Sequence, residues 1–377
     1  MAAAQPFTSL DDPLADWPND DLLLGAPARA FFAAHHPAVL PVFDWPELRA
    51  LFARLDGRAG QYRRHSRFFG VAAALLGGLS LVVAALTPLV AALSSTTWPL
   101  RLLGAAAAAL VLASGATGYV HLLWSRSRAG WLEQRFLTER LRQLHFQFIL
   151  CNLPAAVAAM RDAQGLAQWT ALRARALAVF ERDVRAPIVA SLASLVADEA
   201  QEDIWLDPAW REDSPCPAPG AEFDAILETM ARQRFGIQRR YCQLKLEPGF
   251  HSCATRLRVI RTVSDVLTLA LLVLAGATGV ATLLVDPRDS LLLAALASVT
   301  GLASAVIVTL RVIGEGLQLA SETGRYIWYE AAARGLERRF AQGGPAARIA
   351  RLRDMERLAY EELRWFIVDF REARFVM

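Results

Sequence analysis

YVHLLWSRSRAGWLEQRFLTERLRQL, residues 119–144, changes character at its midpoint. Up to Trp124 it closes an apolar run. Beyond Trp124 it is rich in Arg and Glu, while Leu and Phe keep recurring at helical intervals. Such a segment suits a helix that meets lipid at one end and other helices at the other. Upstream, no charged residue occurs from Phe68 to Leu100, and Leu102 to Trp124 carries only the titratable His121. At 1.5 Å per residue, about 20 apolar residues cross a ~30 Å hydrocarbon core. Downstream, Val266 to Val285 and Leu291 to Leu310 are uncharged stretches of 20 residues each. SSTTWPL (94–100) and DPRDS (286–290) read as turns, and Trp98 suits a membrane interface. The predicted fold class is an all-α integral membrane protein. It has four transmembrane helices in two hairpins with long cytoplasmic helical extensions.

Composition agrees. The 377-residue chain is 54% hydrophobic with a mean hydropathy of +0.28, which argues against an ordinary soluble protein. Of its 40 basic residues only Lys245 is not Arg, which points to a GC-rich bacterial genome. The N-terminus is acidic and has no apolar core of the signal-peptide kind. Four cysteines without C-x-x-C spacing read as isolated reduced thiols rather than a metal site.

Arginine placement predicts orientation. Arg49, Arg54, Arg58, Arg63, Arg64 and Arg67 precede the first span, and Arg126, Arg128, Arg135, Arg140 and Arg142 follow the second. The second pair of spans is flanked in the same way, and the two turns hold one Arg each, Arg101 and Arg288. Both termini and the middle segment are therefore expected in the cytoplasm, at a bacterial inner membrane. Orientation and anionic lipid account for these arginines, so no nucleic acid is expected.

The chain divides into an acidic arm (1–43), a first membrane hairpin with flanking helices (44–153), a helical cytoplasmic segment with a Pro-rich connector (154–221), and a second hairpin with C-terminal amphipathic helices (222–377). Asp44 and Glu47 have capping-box spacing at the head of an amphipathic helix with Leu48, Leu51, Phe52 and Leu55 on one face. The first 48 residues carry a net charge of −6, seven acids against Arg29. Two readings stand: an arm that docks on the Arg-rich helices and gates them, or a solvated tail. Trp131 and Tyr326 head two charged helices, and Leu141 and Leu336 lie at the same distance behind, a repeat of organisation.

No Asp, Glu, Lys or Arg lies near the middle of any span, which makes an ion-coupled transporter a poor fit. Small residues abound instead: Gly104 to Ala109 with Gly115 and Gly118, Ala275 with Gly279, and Ala297, Gly301 and Ala305. Such rows let helices approach closely, either within one chain or between protomers around a pore. Ser114, Thr117 and His121 recur on one face, as a wetter conduit lining or as bonds to neighbouring carbonyls. Asp265 and Arg311 each lie 23 residues from Arg288, opposite each other across the second hairpin, as a structural ion pair or a latch. No nucleotide-binding, nucleophile-elbow or zinc-protease motif is present, so no enzyme activity, cofactor or metal is expected.

With two spans tied to W-x-x-x-R-x-x-x-E-x-L at Trp131, Arg135, Glu139 and Leu141, and an aromatic, Arg-rich lead-in YRRHSRFF (62–69), residues 45–150 resemble the SLATT family. These are two-transmembrane effector domains associated with SMODS nucleotidyltransferases and SLOG nucleotide sensors in bacterial conflict systems. Residues 225–340 are similar more loosely, with Glu330 where Arg135 stands and Arg334 where Glu139 does. The resemblance implies an oligomeric membrane effector that forms a pore or disrupts the inner membrane, with a nucleotide-sensing or nucleotide-synthesising partner protein as the trigger. The alternative is a non-conducting scaffold or sensor that holds a cytoplasmic partner.

Overall fold

A computed structural model describes residues 20–123, 125–184, 186, 204–211, 216–249, 252–284 and 290–372. These residues form helices and connecting turns and contain no strand. Four of the helices are long and apolar enough to cross a membrane: Pro46–Leu93, Trp98–Val120, Cys253–Leu284 and Leu291–Gly316. A bent pair, Ala129–Cys151 with Leu153–Arg161 at 78°, is also apolar in part. It carries Glu133, Arg135, Glu139, Arg140 and Arg142, charges that a lipid-facing segment would not tolerate.

Packing groups the chain into two units, each drawn from three separate stretches. Unit 1 comprises residues 1–60, 130–247 and 323–371, and unit 2 comprises 61–129, 248–322 and 372–377. The linear division of the sequence therefore differs from the grouping by contact.

In unit 1, α1 (Ala26–His35) and α2 (Leu40–Phe43) precede α3 (Pro46–Ala85), which runs without a break past residue 60. Pro46 opens α3, where its missing N–H is harmless. The Asp44 carboxylate pairs with Arg49, so the expected capping box with Glu47 is replaced by an ion pair. Leu48, Leu51, Phe52 and Leu55 are all buried, as their spacing requires. Residues 20–43, the described part of the acidic arm, are packed rather than solvated: Leu22, Leu23, Phe32, Val42 and Phe43 are all buried. Further helices follow: α6 (Ser125–Cys151), α7 (Leu153–Arg161), α8 (Ala163–Val179), α9 (Ala221–Ala231), a π-helical turn (Arg232–Ile237) and α10 (Gln238–Leu246). Asp162 caps α8 through Gly165 N–H, and a Cβ at Gly165 would lie 2.3 Å from the Ala158 carbonyl oxygen, so that turn needs glycine. α13 (Leu319–Ala341) and α14 (Pro345–Glu372) complete the core. Leu352, Met355, Leu363 and Phe370 of α14 are buried, and Trp131 packs edge-on against Phe366 and Phe370. The C-terminal helix is thus core.

Unit 2 holds most of the apolar surface. Its helices are the remainder of α3, α4 (Thr87–Leu93), α5 (Trp98–Leu123), α11 (Cys253–Leu284) and α12 (Ser290–Gly316). Leu112 is 73% exposed, Leu272 68% and Leu283 84%, which water would not tolerate over so large an area and lipid would. Leu86 breaks the first span where Pro88 removes a backbone donor and clashes with the preceding turn. Beyond the break, Leu89 N–H donates to Ser298 Oγ of α12 at 3.2 Å. A Cβ at Gly301 would meet Ala85 Cβ at 2.8 Å, and one at Gly78 would meet Thr309 Oγ1 at 2.1 Å. The pairs 78/309, 85/301 and 89/298 run in opposite directions at nearly constant register, so the first and fourth spans form a tight antiparallel seam. α11 and α12 also pack side by side.

Candidate functional site

The densest polar feature of the described residues lies inside unit 1, where charged side chains would ordinarily be costly. Arg135, Glu139 and Arg142 fall at spacings of four and three on α6, so they share one face. Arg135 Nη2 is 2.6 Å from Glu139 Oε1, and Arg142 Nη1 is 3.5 Å from Glu139 Oε2. Arg142 Nε then lies 3.3 Å from Asp21 Oδ1, Asp21 Oδ2 lies 3.4 Å from Arg234 Nη1, and Arg234 Nε donates to Glu356 Oε1 at 2.7 Å. The result is an alternating chain of three guanidiniums and three carboxylates. Gln238 Nε2 also donates to Asp21 Oδ2, at 2.8 Å. Asp21, Arg142, Arg234 and Glu356 are all buried, Asp21 and Glu356 completely. Aromatic rings cover the cations: Arg234 sits 4.5 Å from the Phe146 ring centroid and Arg142 5.3 Å from that of Phe52.

Burial pushes the Asp21 carboxyl above its usual range, against the pull of Arg142 and Arg234. Burial likewise holds Glu356 up despite Arg234. Burial also works on Glu139, but Arg135 and Arg142 outweigh it and keep this carboxylate below its usual range.

The second copy of the repeat answers with opposite signs. Glu330, Arg334 and Glu337 occupy the positions on α13 that Arg135, Glu139 and Arg142 occupy on α6. Arg334 Nη2 contacts Glu330 Oε1 at 2.5 Å, and Arg239 bridges Glu330 (3.6 Å) and Glu337. Each triad therefore draws its counter-ion from another segment: Arg239 next to α10's start for the second, Asp21 of the arm for the first. The departure at Glu330 and Arg334 is thus an inversion of an ion pair that persists.

The expected site residues distribute as follows. Trp131 and Leu141 are buried in the unit 1 core, and Arg135 and Glu139 belong to the ionic chain. Ser114 Oγ donates to the Ala73 carbonyl at 2.9 Å and Thr117 Oγ1 to the Ala113 carbonyl at 2.7 Å, so both hydroxyls are engaged by backbone. The His121 side chain, Trp124, Val285 and Arg288 lie outside the described residues. Gly301 is spent on the seam with Ala85, whereas Gly118 and Gly279 have open space where a Cβ would point. Asp265 and Arg311 form no ion pair: both are exposed, because their neighbours Ser264 and Val312 take the buried faces of their helices and turn them away.

Sequence reasoning missed Asp21, Arg234 and Glu356 as members. The arm's net charge was a signal for Asp21. Glu356 lies four residues after Leu352 and three before Ala359, inside an apolar stripe, which was a second. Arg234 had none, because its partners are 122 and 213 residues away. A cavity of about 300 Å³ beside α1 is lined in part by His36, Glu228 and Arg232. Its charges are already engaged, Arg232 with His36 at 3.1 Å and Glu228 with Arg348 at 2.9 Å.

His145 lies within the same core, against Phe43, Trp45 and Phe146, with no hydrogen bond to either ring nitrogen among the described residues. Burial, with Arg173 and Arg234 nearby, pushes its pKa down from 6.5 to about 3. An unfolded chain binds this proton below pH 6.5 and the folded chain does not. The contribution is full above that pH and is lost as pH falls towards 3. At pH 5 the loss is about 2 kcal/mol. Asp21 and Glu356, held high, act in the opposite sense at acid pH. Chemical unfolding of wild type and His145→Phe between pH 8 and 5 should isolate this contribution: the gap should shift by that amount in favour of the variant on acidification. Parallel pH curves would refute it.

Comparison of the chain with known protein families, with curated proteins and with solved structures yields no match.

Proposed function

We propose that the protein is a four-span inner-membrane effector, with its spans in two hairpins and its helical extensions and termini in the cytoplasm. It oligomerises and permeabilises the membrane in a bacterial anti-phage system, on a signal from a nucleotide-linked partner. One observation carries this reading. The close-packing glycines divide into two sets: Gly78 and Gly301 are consumed within the chain, while Gly104, Gly115 and Gly118 on α5 and Gly276 and Gly279 on α11 face nothing. No residue in the most apolar stretch of the second or third span is buried. Lipid gives no hydrophobic reason for helices to associate, so glycine faces of this kind favour packing between protomers. The arginine asymmetry supports the orientation, and the resemblance to SLATT domains supports the effector role.

Purified protein in liposomes should release an entrapped dye. Gly118→Leu combined with Gly279→Leu should lower release and cross-linked oligomer by about tenfold, a loss of about 1.4 kcal/mol in association, with no change in unfolding midpoint. Release unaffected by the pair of substitutions counts against assembly through these faces. The second reading, a non-conducting scaffold, is favoured by Ser114, whose hydroxyl serves the Ala73 carbonyl rather than a wet path. A stable cytoplasmic partner without any dye release would select it.

A further inference from the structure

The two triads are satisfied by counter-ions of different character. Arg239 lies within α10 and holds two carboxylates of α13, Glu330 and Glu337. Asp21 sits on the arm, five residues before α1. Gln238 Nε2 donates to it at 2.8 Å, but its two guanidinium contacts are long, 3.3 Å to Arg142 and 3.4 Å to Arg234, against 2.6 and 2.7 Å at the ends of the ionic chain. Asp21 Oδ1 accepts no hydrogen bond among the described residues, although it is fully buried, and Arg234 Nη2 in the same cluster donates none. An acceptor short of a donor and a donor short of an acceptor within one buried cluster mark an ill-fitting occupant in a well-built pocket. The turn that delivers it stands on its own. Asp20 accepts from Leu24 and Gly25 N–H, Arg29 donates to the Leu23 and Leu24 carbonyls, and Leu23 is held in the left-handed region at φ 56°.

We propose that Arg142, Arg234 and Gln238 form a buried oxyanion-binding site that the chain's own Asp21 fills as a tethered ligand. The site accepts a monoanionic carboxylate or phosphodiester group in its place. One negative charge is the right complement, because Arg135, Arg142 and Arg234 exceed Glu139 and Glu356 by one once Asp21 withdraws. A group with two oxygens can take the Arg142 and Arg234 contacts without the constraint of the turn. Exchange of Asp21 for such a ligand releases residues 20–25 and with them the packing of α1. This inference rests on unit 1 alone and does not depend on membrane permeabilisation.

The test uses the full-length protein in detergent micelles and reads amide hydrogen exchange in residues 22–35. Asp21→Ala removes a group the size of formate. Exchange should speed at least about tenfold as local opening becomes easier. Millimolar formate should slow it again, while sodium chloride at equal ionic strength should not. Dimethyl phosphate serves as the phosphodiester probe: rescue by formate alone assigns the site to carboxylates, and rescue by both extends it to phosphodiesters. Unchanged exchange in Asp21→Ala, or equal responses to formate and chloride, overturns the proposal. Where Asp21→Ala fails to fold, Asp21→Asn keeps the shape without the charge. It should loosen the same residues and ignore formate, because the amide fills the space. Wild-type exchange in Asp21→Asn likewise overturns it.

Discussion

Arg234→Met should destabilise the folded protein by about 3–5 kcal/mol, the usual cost of stranding buried partners of opposite charge. Arg234 is 2% exposed and stands between Asp21 and Glu356, so its loss leaves two fully buried carboxylates facing one gap. Methionine retains much of the apolar contact with Phe146, which keeps the cavity contribution small. Both carboxyls already lie above their usual range, and without the guanidinium they rise further. Their protonation relieves the clash, so the loss should shrink as pH falls from 8 towards 5. The triple variant Asp21→Asn/Arg234→Met/Glu356→Gln should recover most of the stability, since a neutral, well-packed replacement of a buried ion cluster is often close to isoenergetic. Denaturant unfolding in detergent reads all three quantities. A single-variant loss below about 1 kcal/mol, the range of exposed pairs, would mean that water reaches the cluster.

Gly78→Val should open the seam between the first and fourth spans. The added Cβ falls 2.1 Å from Thr309 Oγ1 and 2.8 Å from Thr309 Cγ2, and Thr309 cannot rotate away without losing its bond to the Ala305 carbonyl. Gly301→Val meets Ala85 Cβ at 2.8 Å and Ala85 Cα at 3.4 Å, a backbone-linked obstacle that cannot swing aside. Each should cost about 1–3 kcal/mol or more in unfolding free energy, as overpacked interiors do. Thr309→Ala should rescue Gly78→Ala in part, because it removes the atoms in conflict. Gly118→Val and Gly279→Val, which meet open space, should leave monomer stability within about 0.5 kcal/mol. Equal losses at all four glycines would show that helix propensity rather than the seam sets the effect.

Much of this protein is legible along the chain because its signals are local. The four apolar stretches need only a count of uncharged residues against the thickness of a bilayer. The buried face of Leu48, Leu51, Phe52 and Leu55 and the stripe from Leu352 to Phe370 need only the period of a helix. The break at Leu86 was also within reach, through Pro88. The repeat is visible as well, with its inverted signs at Glu330 and Arg334.

What tertiary structure decided is which of several chemically equal partners meet. Arg142 has many carboxylates within the chain to choose from, and only packing brings it Asp21, 121 residues earlier in sequence. Glycines recur on the second, third and fourth spans alike, yet Gly301 of the fourth is pressed against the first, at Ala85, while Gly104, Gly115, Gly118, Gly276 and Gly279 meet nothing. Asp265 and Arg311 were symmetrically placed about a turn and still turn away from each other. Composition and periodicity set what each helix can bury, because those depend on neighbours a few residues away. Pairing between helices depends on three-dimensional register, where half a turn of rotation moves a side chain from a partner to solvent.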